Sequence, residues 1–340
     1  MKERKSKLKN ILGIVFLLGI CTGFGILQKK ASQNITVSKL LTKDSGYFVP
    51  LKIDGFSSAD IPYLKVNIEN RSVIAKIDLG YEGDLCLPSH IINNLNGKKF
   101  IKTSTAFGLR GKTYKSEVYQ LDKIDIENMT FFPVRAEELN LELEHDINLG
   151  EKEIPLQHDL GRIGWCLFHS FNLLVDCENS TLALCDSLET LRKQGYPVDS
   201  FTMAPLLLDR GFIEFMATTE AGVLRCILDT GSTWNMLNKD LENSYNHMIF
   251  TPENVDQYSS MNPDNENLMD FDPKDVCNVS IFKIGEKEFG PMTFNRIKSP
   301  LAFDAIMGME FFNSTVIFID FSAGKIYFYE KPLTEEIPPA

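Results

Sequence analysis

Hydrophobic and polar residues alternate over short runs through most of the chain beyond about Gly46, and Gly, Asn, Asp and Pro separate these runs. Alternation with a period of two is typical of strands that bury one face. The pattern therefore predicts a mainly β protein. Its 340 residues are more than one hydrophobic core usually spans, so we expect two domains or lobes.

The first thirty residues follow a different pattern. Residues 1–10 carry five basic side chains and residues 11–27 carry no charge, which predicts an N-terminal signal anchor over residues 1–30 with one transmembrane helix. No small-x-small cleavage site precedes Lys29 and Lys30, so a retained anchor is favoured, and secretion after cleavage is the alternative. More positive charge precedes the span than follows it, which predicts a single-pass membrane protein with a periplasmic or extracellular body.

The body of the chain contains an internal repeat of three segments in the same order. The first segment is an apolar run through a Pro, the second is an apolar run that ends in Asp-x-Gly, and in the third an Asp follows a Gly by twelve residues. The matched pairs are Phe48–Asp54 with Met203–Asp209, Ile74–Gly80 with Arg225–Gly231, and Ile163–Asp176 with Met307–Asp320. Three matches in order indicate a duplicated lobe, because chance supplies single matches much more readily than an ordered set.

The repeat also sets the predicted boundaries of the domains. A linker over residues 31–46 precedes a first lobe over residues 47–190, and an interlobe linker over residues 191–200 leads to a second lobe over residues 201–332. A tail over residues 333–340 ends the chain.

Duplication of a strand that ends in Asp-x-Gly has a chemical consequence. A pseudo-twofold axis can bring Asp78 and Asp229, called here the aspartate pair, face to face between the lobes. Two carboxylates about 3 Å apart do not both ionise readily, so the pair holds one proton. The ionised member can take a proton from water while the protonated member polarises a carbonyl, without a metal or a covalent intermediate. Gly80 and Gly231 let the backbone turn sharply beside the carboxyl groups.

These residues carry a family resemblance. Asp229-Thr-Gly-Ser232 resembles the active-site signature of aspartic peptidases of the retropepsin and pepsin type, and Ile306-Met-Gly308 resembles the later apolar-apolar-Gly element of that family. In the first half, Asp78-Leu-Gly80 and Arg162-Ile-Gly164 occupy the same places. The resemblance implies two acid-protease-like β-barrel lobes with a cleft between them, a peptide or protein substrate, a monomeric catalytic unit, and no metal or cofactor.

A Gly-rich segment in the first half is similar to the flap hairpin that closes over substrate in this family. The flap and substrate-binding residues that the resemblance implies are Phe107, Gly108, Leu109, Arg110 and Gly111, and the strand from Tyr114 to Ile124 would be the return arm. A plain hairpin turn is the alternative interpretation of the same glycines.

The residues that follow each Asp differ between the two copies. The resemblance implies that Gly80, Thr230, Gly231 and Ser232 support the aspartate pair, with the Thr230 hydroxyl bonded to backbone of the opposite loop. Leu79 stands in the first copy where the family has Thr or Ser, and its side chain cannot donate a hydrogen bond. Tyr81 stands where Ser232 stands in the second copy. Because Ser232 can hydrogen-bond the carboxylate of Asp229, we expect Asp229 to be the ionised base and Asp78 to hold the proton.

Composition excludes several other classes of function. The formal net charge of -11 gives no basic face for phosphate backbones, so nucleic acid is not an expected partner. The sequence has no HExxH, no Cys-x-x-Cys and no Gly-x-Ser-x-Gly motif, which disfavours zinc sites and serine hydrolases. Six of the seven cysteines fall in the exported body, where disulfides are permitted.

Two alternatives to an aspartic endopeptidase stay open. Through Leu79 and Tyr81 the chain could be a catalytically degenerate, peptide-binding module that keeps the lobes and the cleft. A purely structural envelope protein, in which each Asp only caps a turn, is the other alternative.

Overall fold

The computed structural model describes residues 37–38, 46–56, 61–107, 113–139, 160–220, 222–238, 275–297 and 303–331. Residues 1–30, where the signal anchor is predicted, lie outside this part of the chain. Among the described residues, no helix has both the length and the apolar character needed to cross a bilayer.

The described residues are mostly β-strand, as the alternating pattern predicts. The strands of the first half are β1 (Val37–Ser38), β2 (Phe48–Lys52), β3 (Gly55–Phe56), β4 (Pro62–Ile68), β5 (Arg71–Asp78), β6 (Leu85–Pro88), β7 (Lys98–Phe107), β8 (Thr113–Leu121), β9 (Ile124–Ile126), β10 (Met129–Phe132), β11 (Val134–Leu139), β12 (Gly161–Gly164), β13 (Asn172–Asp176) and β14 (Thr181–Cys185). The strands of the second half are β15 (Thr202–Pro205), β16 (Glu214–Thr219), β17 (Gly222–Leu228), β18 (Met236–Asn238), β19 (Val276–Val279), β20 (Phe282–Ile284), β21 (Lys287–Phe289), β22 (Met292–Ile297), β23 (Ala305–Met307), β24 (Thr315–Asp320) and β25 (Lys325–Glu330).

Short helices connect some of these strands. They are α1 (Ser89–Asn93), α2 (Leu188–Lys193), α3 (Met309–Ser314), and two 3-10 helices at Trp165–Leu167 and Val198–Ser200. The α2 helix begins where the Ser187 side chain accepts a hydrogen bond from the backbone N–H of Thr190, which satisfies one of the free donors of the first turn. Together with the second 3-10 helix, α2 forms the connection between the two lobes.

Each lobe is built on its own sheet, and strands are paired in the same way in both. In the first lobe β5 runs parallel to β12, β12 is antiparallel to β6, and β6 runs parallel to β11. In the second lobe β17, β23, β18 and β22 repeat these three pairings in the same order. The duplication inferred from sequence is therefore also a repeat of strand topology.

The lobe sheets are open rather than closed barrels. Within the described residues, the path of the first sheet ends at β1 and β7, and that of the second ends at β19 and β21. A third sheet of six strands, in the order β15-β25-β24-β13-β14-β2, takes three strands from each half. One hydrophobic cluster contains residues of all three sheets, so the shared sheet covers the apolar side that each open lobe sheet would otherwise expose.

The two strands at the centre of the shared sheet are buried on both faces. Leu173 and Val175 of β13 pack into the main core, while Leu174 packs into a second cluster with Phe318 of β24. This burial explains the near-continuous apolar runs in both copies of the third repeat segment. The described part of the chain contains six cysteines and no disulfide between them.

Candidate active site

The two residues of the aspartate pair lie at matched strand ends and meet between the lobes. Asp78 is the last residue of β5, and Asp229 directly follows β17. The carboxyl groups of the two residues share a hydrogen bond. The structure thus brings together two side chains that are 151 positions apart in sequence. The hydrogen bond between Leu79 and Thr230 also joins residues 151 positions apart.

Each glycine of the Asp-x-Gly motifs touches the carboxyl group of the opposite lobe. A Cβ atom placed on Gly80 would lie 2.5 Å from Cγ of Asp229, and one on Gly231 would lie 2.7 Å from Cγ of Asp78. Both distances are shorter than real carbon contacts, so these positions exclude any side chain. The N–H of Gly231 also donates to Oδ1 of Asp229 at 2.8 Å. Glycine is required here by close approach of the two loops.

Thr230 forms the hydrogen bonds across the pair that the resemblance implies. Its hydroxyl accepts from the N–H of Leu79 at 3.0 Å and donates to the carbonyl of Ile77 at 2.7 Å, and Thr230 is fully buried. The reciprocal bonds are missing because the side chain of Leu79 is apolar and is fully buried in the first-lobe core. The hydroxyl that ties the two loops together therefore comes from the second lobe.

Ser232 does not support Asp229 through its side chain as expected. Its hydroxyl donates instead to the backbone carbonyl of Trp234 at 2.8 Å, and its contact with Asp229 runs from the Ser232 N–H to the Asp229 carbonyl at 3.2 Å. The serine therefore shapes the turn after the motif. The sequence could not show this, because Ser side chains bond near backbone groups as readily as side chains.

Tyr81, the residue that replaces this serine in the first copy, is turned toward the first lobe. Burial, followed by the neighbouring Cys86 and Glu137, raises the pKa of Tyr81 well above its usual value, so the phenol stays neutral. Its backbone carbonyl accepts from the N–H of Trp165 at 3.1 Å, which ties the loop to the element behind it.

Arg162 is a site residue that the sequence interpretation missed. Its Nε lies 3.1 Å from Oδ2 of Asp78, and the two side chains are only 12% and 11% exposed. Arg162 stands two residues before Gly164 on β12, and the second lobe has Ile306 at the corresponding position on β23. The sequence signal that could have identified Arg162 is its charge, because the second copy of the apolar-apolar-Gly element has an apolar residue at this position.

The electrostatic environment reverses the assignment of charge expected from sequence. Burial raises the pKa of Asp229 to about 8, the charge of Asp78 and the hydrogen bond with it add to this effect, and the Gly231 N–H and Arg162 oppose it. These effects favour the protonated form of Asp229. The expectation that Asp229 is the ionised base was wrong, because Asp229 is buried beside the charge of Asp78 and the Ser232 hydroxyl bonds elsewhere.

The predicted flap coincides with a hairpin of β7 and β8. Phe107 is the last residue of β7 and pairs with Thr113 at the start of β8. Gly108, Leu109, Arg110 and Gly111 lie outside the described residues, so their role at the substrate stays a prediction. In the described ranges, no group of three or more His, Cys, Asp and Glu side chains is arranged to hold a metal ion.

Comparison with known proteins finds no matching family model and no matching curated protein. Among solved structures, a basic 7S globulin from soybean matches with a TM-score of 0.53 and 9% sequence identity, over 85% of this chain and 96% of that one. Conglutin gamma, a basic 7S globulin from lupine seeds, gives the same TM-score, identity and coverage. The chain has a pepsin-like fold.

This likeness concerns the fold alone, because 9% identity carries no information about activity. Both matched proteins are described as basic 7S globulins, and the comparisons show no catalysis. The pepsin-like part of the predicted resemblance is thereby supported, whereas no family model supports the retropepsin type in particular.

Proposed function

We propose that this protein is an aspartic endopeptidase that binds an extended peptide or protein segment between its lobes and hydrolyses it with the aspartate pair. The observation that carries the proposal is the meeting of two strand-end carboxyl groups, one from each lobe, in hydrogen-bonding contact. A pair of carboxyl groups that shares one proton supplies both a base and an acid.

The charges around the pair support a definite division of roles. The carboxylate of Asp78 takes a proton from a water molecule, whose oxygen attacks the scissile carbonyl carbon. The protonated carboxyl of Asp229 donates its proton to the carbonyl oxygen as the tetrahedral intermediate forms. Proton transfer from Asp78 to the amide nitrogen then lets the amine leave, Asp229 recovers its proton from the intermediate, and the pair returns to its starting state.

The second candidate is a catalytically degenerate module that binds peptides without cleaving them. Two observations favour it: the missing side-chain hydrogen bonds of Leu79, and the ion pair that already engages Asp78. In both candidates the proposed partner is a peptide or protein, and residues 1–30 are proposed to hold the body at the outer side of a membrane.

A cleavage assay on the purified full-length chain separates the two candidates. We expect mass spectrometry of a mixed peptide library, incubated between pH 4 and pH 9, to show cut products, and a statine peptide to inhibit their formation. Asp78→Asn and Asp229→Asn should each reduce turnover to background, since each removes one of the two proton-transfer groups. Asp122→Asn, which changes an exposed carboxylate of the first lobe, is the matched control and should cleave normally.

The outcomes point to different conclusions. Undiminished cleavage by the Asp229→Asn protein would contradict the proposed mechanism. Binding of the statine peptide without any cleavage by the unmodified chain would establish the degenerate module instead. Neither cleavage nor binding would reject both candidates.

A further inference from the structure

The two lobes differ in charge on the strand beside each aspartate strand. β12 and β23 are equivalent strands, and each runs parallel to the strand that delivers its aspartate. On β12 this position is Arg162, whose Nε contacts Oδ2 of Asp78, whereas on β23 it is Ile306, packed with Met236 and Phe303 in an apolar cluster. Arg162 therefore places a positive charge beside Asp78 that the second lobe lacks at the matching position.

We infer that Arg162 is a positioning residue of the aspartate pair, whose guanidinium holds the negative charge on Asp78 and so assigns the shared proton to Asp229. The inference rests on the proposed function, since it concerns how the pair is prepared for hydrolysis. Without Arg162, the preference for placing the negative charge on Asp78 would be weaker, and the base and the acid would be less clearly distinguished.

Burial makes this contact stronger than a surface ion pair. Both side chains are close to nine-tenths buried, so solvent screens their attraction weakly. The geometry agrees with the electrostatics of the partner, because the pKa of Asp229 is raised to about 8 by burial and by the charge of Asp78. Arg162 itself lowers the pKa of Asp229, and its direct contact is with the carboxyl group of Asp78.

Other titratable groups lie on the strands around Arg162. The residues opposite it are Lys76 on β5 and Cys86 on β6, and Tyr81 and Glu82 follow Asp78 in the loop. Lys76 is a second cation on the same strand as Asp78, two residues earlier, and it is 7% exposed. The direct contact with Oδ2 of Asp78 comes from Arg162, which makes Arg162 the group whose charge the pair should sense most.

This arrangement predicts the pH range in which the pair is competent. Below the acid limb of the pH profile both carboxyl groups are protonated and no base exists, and above the alkaline limb both are ionised and no acid exists. A fixed positive charge favours every more negative state of the pair, so Arg162 shifts both limbs to lower pH. The raised pKa of Asp229 extends the singly protonated state to higher pH.

The test compares Arg162→Gln, which keeps a hydrogen-bond donor but loses the charge, with Arg162→Lys, which keeps the charge. In the full-length chain with 13C-labelled aspartate, the Asp229 carboxyl signal is assigned from its loss in Asp229→Asn and is titrated by NMR. We expect the Asp229 midpoint to rise above that of the unmodified chain in Arg162→Gln and to return toward it in Arg162→Lys. In the cleavage assay, the acid limb of kcat/KM should move up by about one to three pH units in Arg162→Gln.

Lys76→Met is the control for a general loss of positive charge, and it should shift the Asp229 midpoint less than Arg162→Gln does. An unchanged Asp229 midpoint in Arg162→Gln, no recovery in Arg162→Lys, or an equal shift in Lys76→Met would each overturn the inference. If the unmodified chain shows no turnover, the proposed function fails while the NMR titration still decides the role of Arg162. Turnover together with an unshifted midpoint in Arg162→Gln contradicts the inference alone.

Discussion

Thr230 is the residue through which the second lobe holds the loop of the first. One hydroxyl both accepts from the N–H of Leu79 and donates to the carbonyl of Ile77, and all three groups are buried. Since Leu79 returns no such bond, the duplicated site depends on one threonine where a symmetric site would use two. Because only the second copy has this hydroxyl, only the second copy contributes these stabilising hydrogen bonds.

We expect Thr230→Val to destabilise the protein by about 1–3 kcal/mol, because valine fills the same space but leaves two buried backbone groups without this partner. Urea unfolding followed by circular dichroism measures the change. Thr230→Ser is the matched control, since it keeps the hydroxyl and loses only a methyl group. Equal destabilisation by the two substitutions would show that packing, rather than hydrogen bonding, is what Thr230 contributes.

At the scale of the elements, a glycine packs against the loop that follows each aspartate. Gly164 ends β12 and Gly308 follows β23. The N–H of Gly164 donates to the carbonyl of Asp84 at 3.1 Å, and the N–H of Gly308 donates to Oδ1 of Asn235 at 3.0 Å. A Cβ atom on Gly164 would lie 2.1 Å from the carbonyl oxygen of Gly83, and one on Gly308 would lie 2.3 Å from that of Trp234. Backbone crosses backbone at both places.

Gly164→Ala is expected to cost about 1–3 kcal/mol of unfolding free energy or more, because the obstructing atoms belong to backbone and cannot rotate away. It should also lower any peptidase activity, since the displaced loop directly follows Asp78. Thermal unfolding and the cleavage assay are the two measurements. Gly55→Ala provides the control, as nothing lies within 4 Å of its added methyl group. A Gly164→Ala protein as stable as Gly55→Ala would refute the close crossing.

At the scale of the whole molecule, the shared sheet makes the two lobes one structural unit. β13 of the first half pairs with β24 of the second, and Leu174 stands opposite Phe318 with both side chains fully buried. Neither lobe can retain its covering sheet if the other unfolds. The position of the aspartate pair depends on this coupling, because each lobe supplies one carboxyl group.

We therefore expect both halves to unfold in one transition. The two tryptophans provide the probes, since Trp165 belongs to the first half and Trp234 to the second, and the variants Trp165→Phe and Trp234→Phe isolate each signal. Phe318→Ala should lower stability by about 3–5 kcal/mol and shift both signals together. Phe100→Ala, at a side chain that is 53% exposed, is the control. Separate midpoints for the two tryptophans would contradict a single cooperative unit.

The sequence alone predicted the features that depend on the order of residues along the chain. Alternation of polar and apolar residues predicted the strands, and recurrence of three segments predicted the repeated topology. The recurrence also identified Asp78 and Asp229 together with the glycines that must follow them, because a strand end and a tight approach restrict residue type locally. The lack of a hydroxyl at Leu79 is likewise a property of the sequence, since the second copy has Thr230 at the matching position.

Tertiary structure decided which charged side chains meet at the site and how the open lobe sheets are covered. Arg162 lies far from either aspartate in sequence, so only the folded arrangement shows that its guanidinium contacts the carboxyl group of Asp78. The hydroxyl of Ser232 had several acceptors within reach, and packing selected the carbonyl of Trp234. Open lobe sheets covered by a shared sheet were also beyond the sequence, because strand periodicity fixes which faces are buried but not which strands pair.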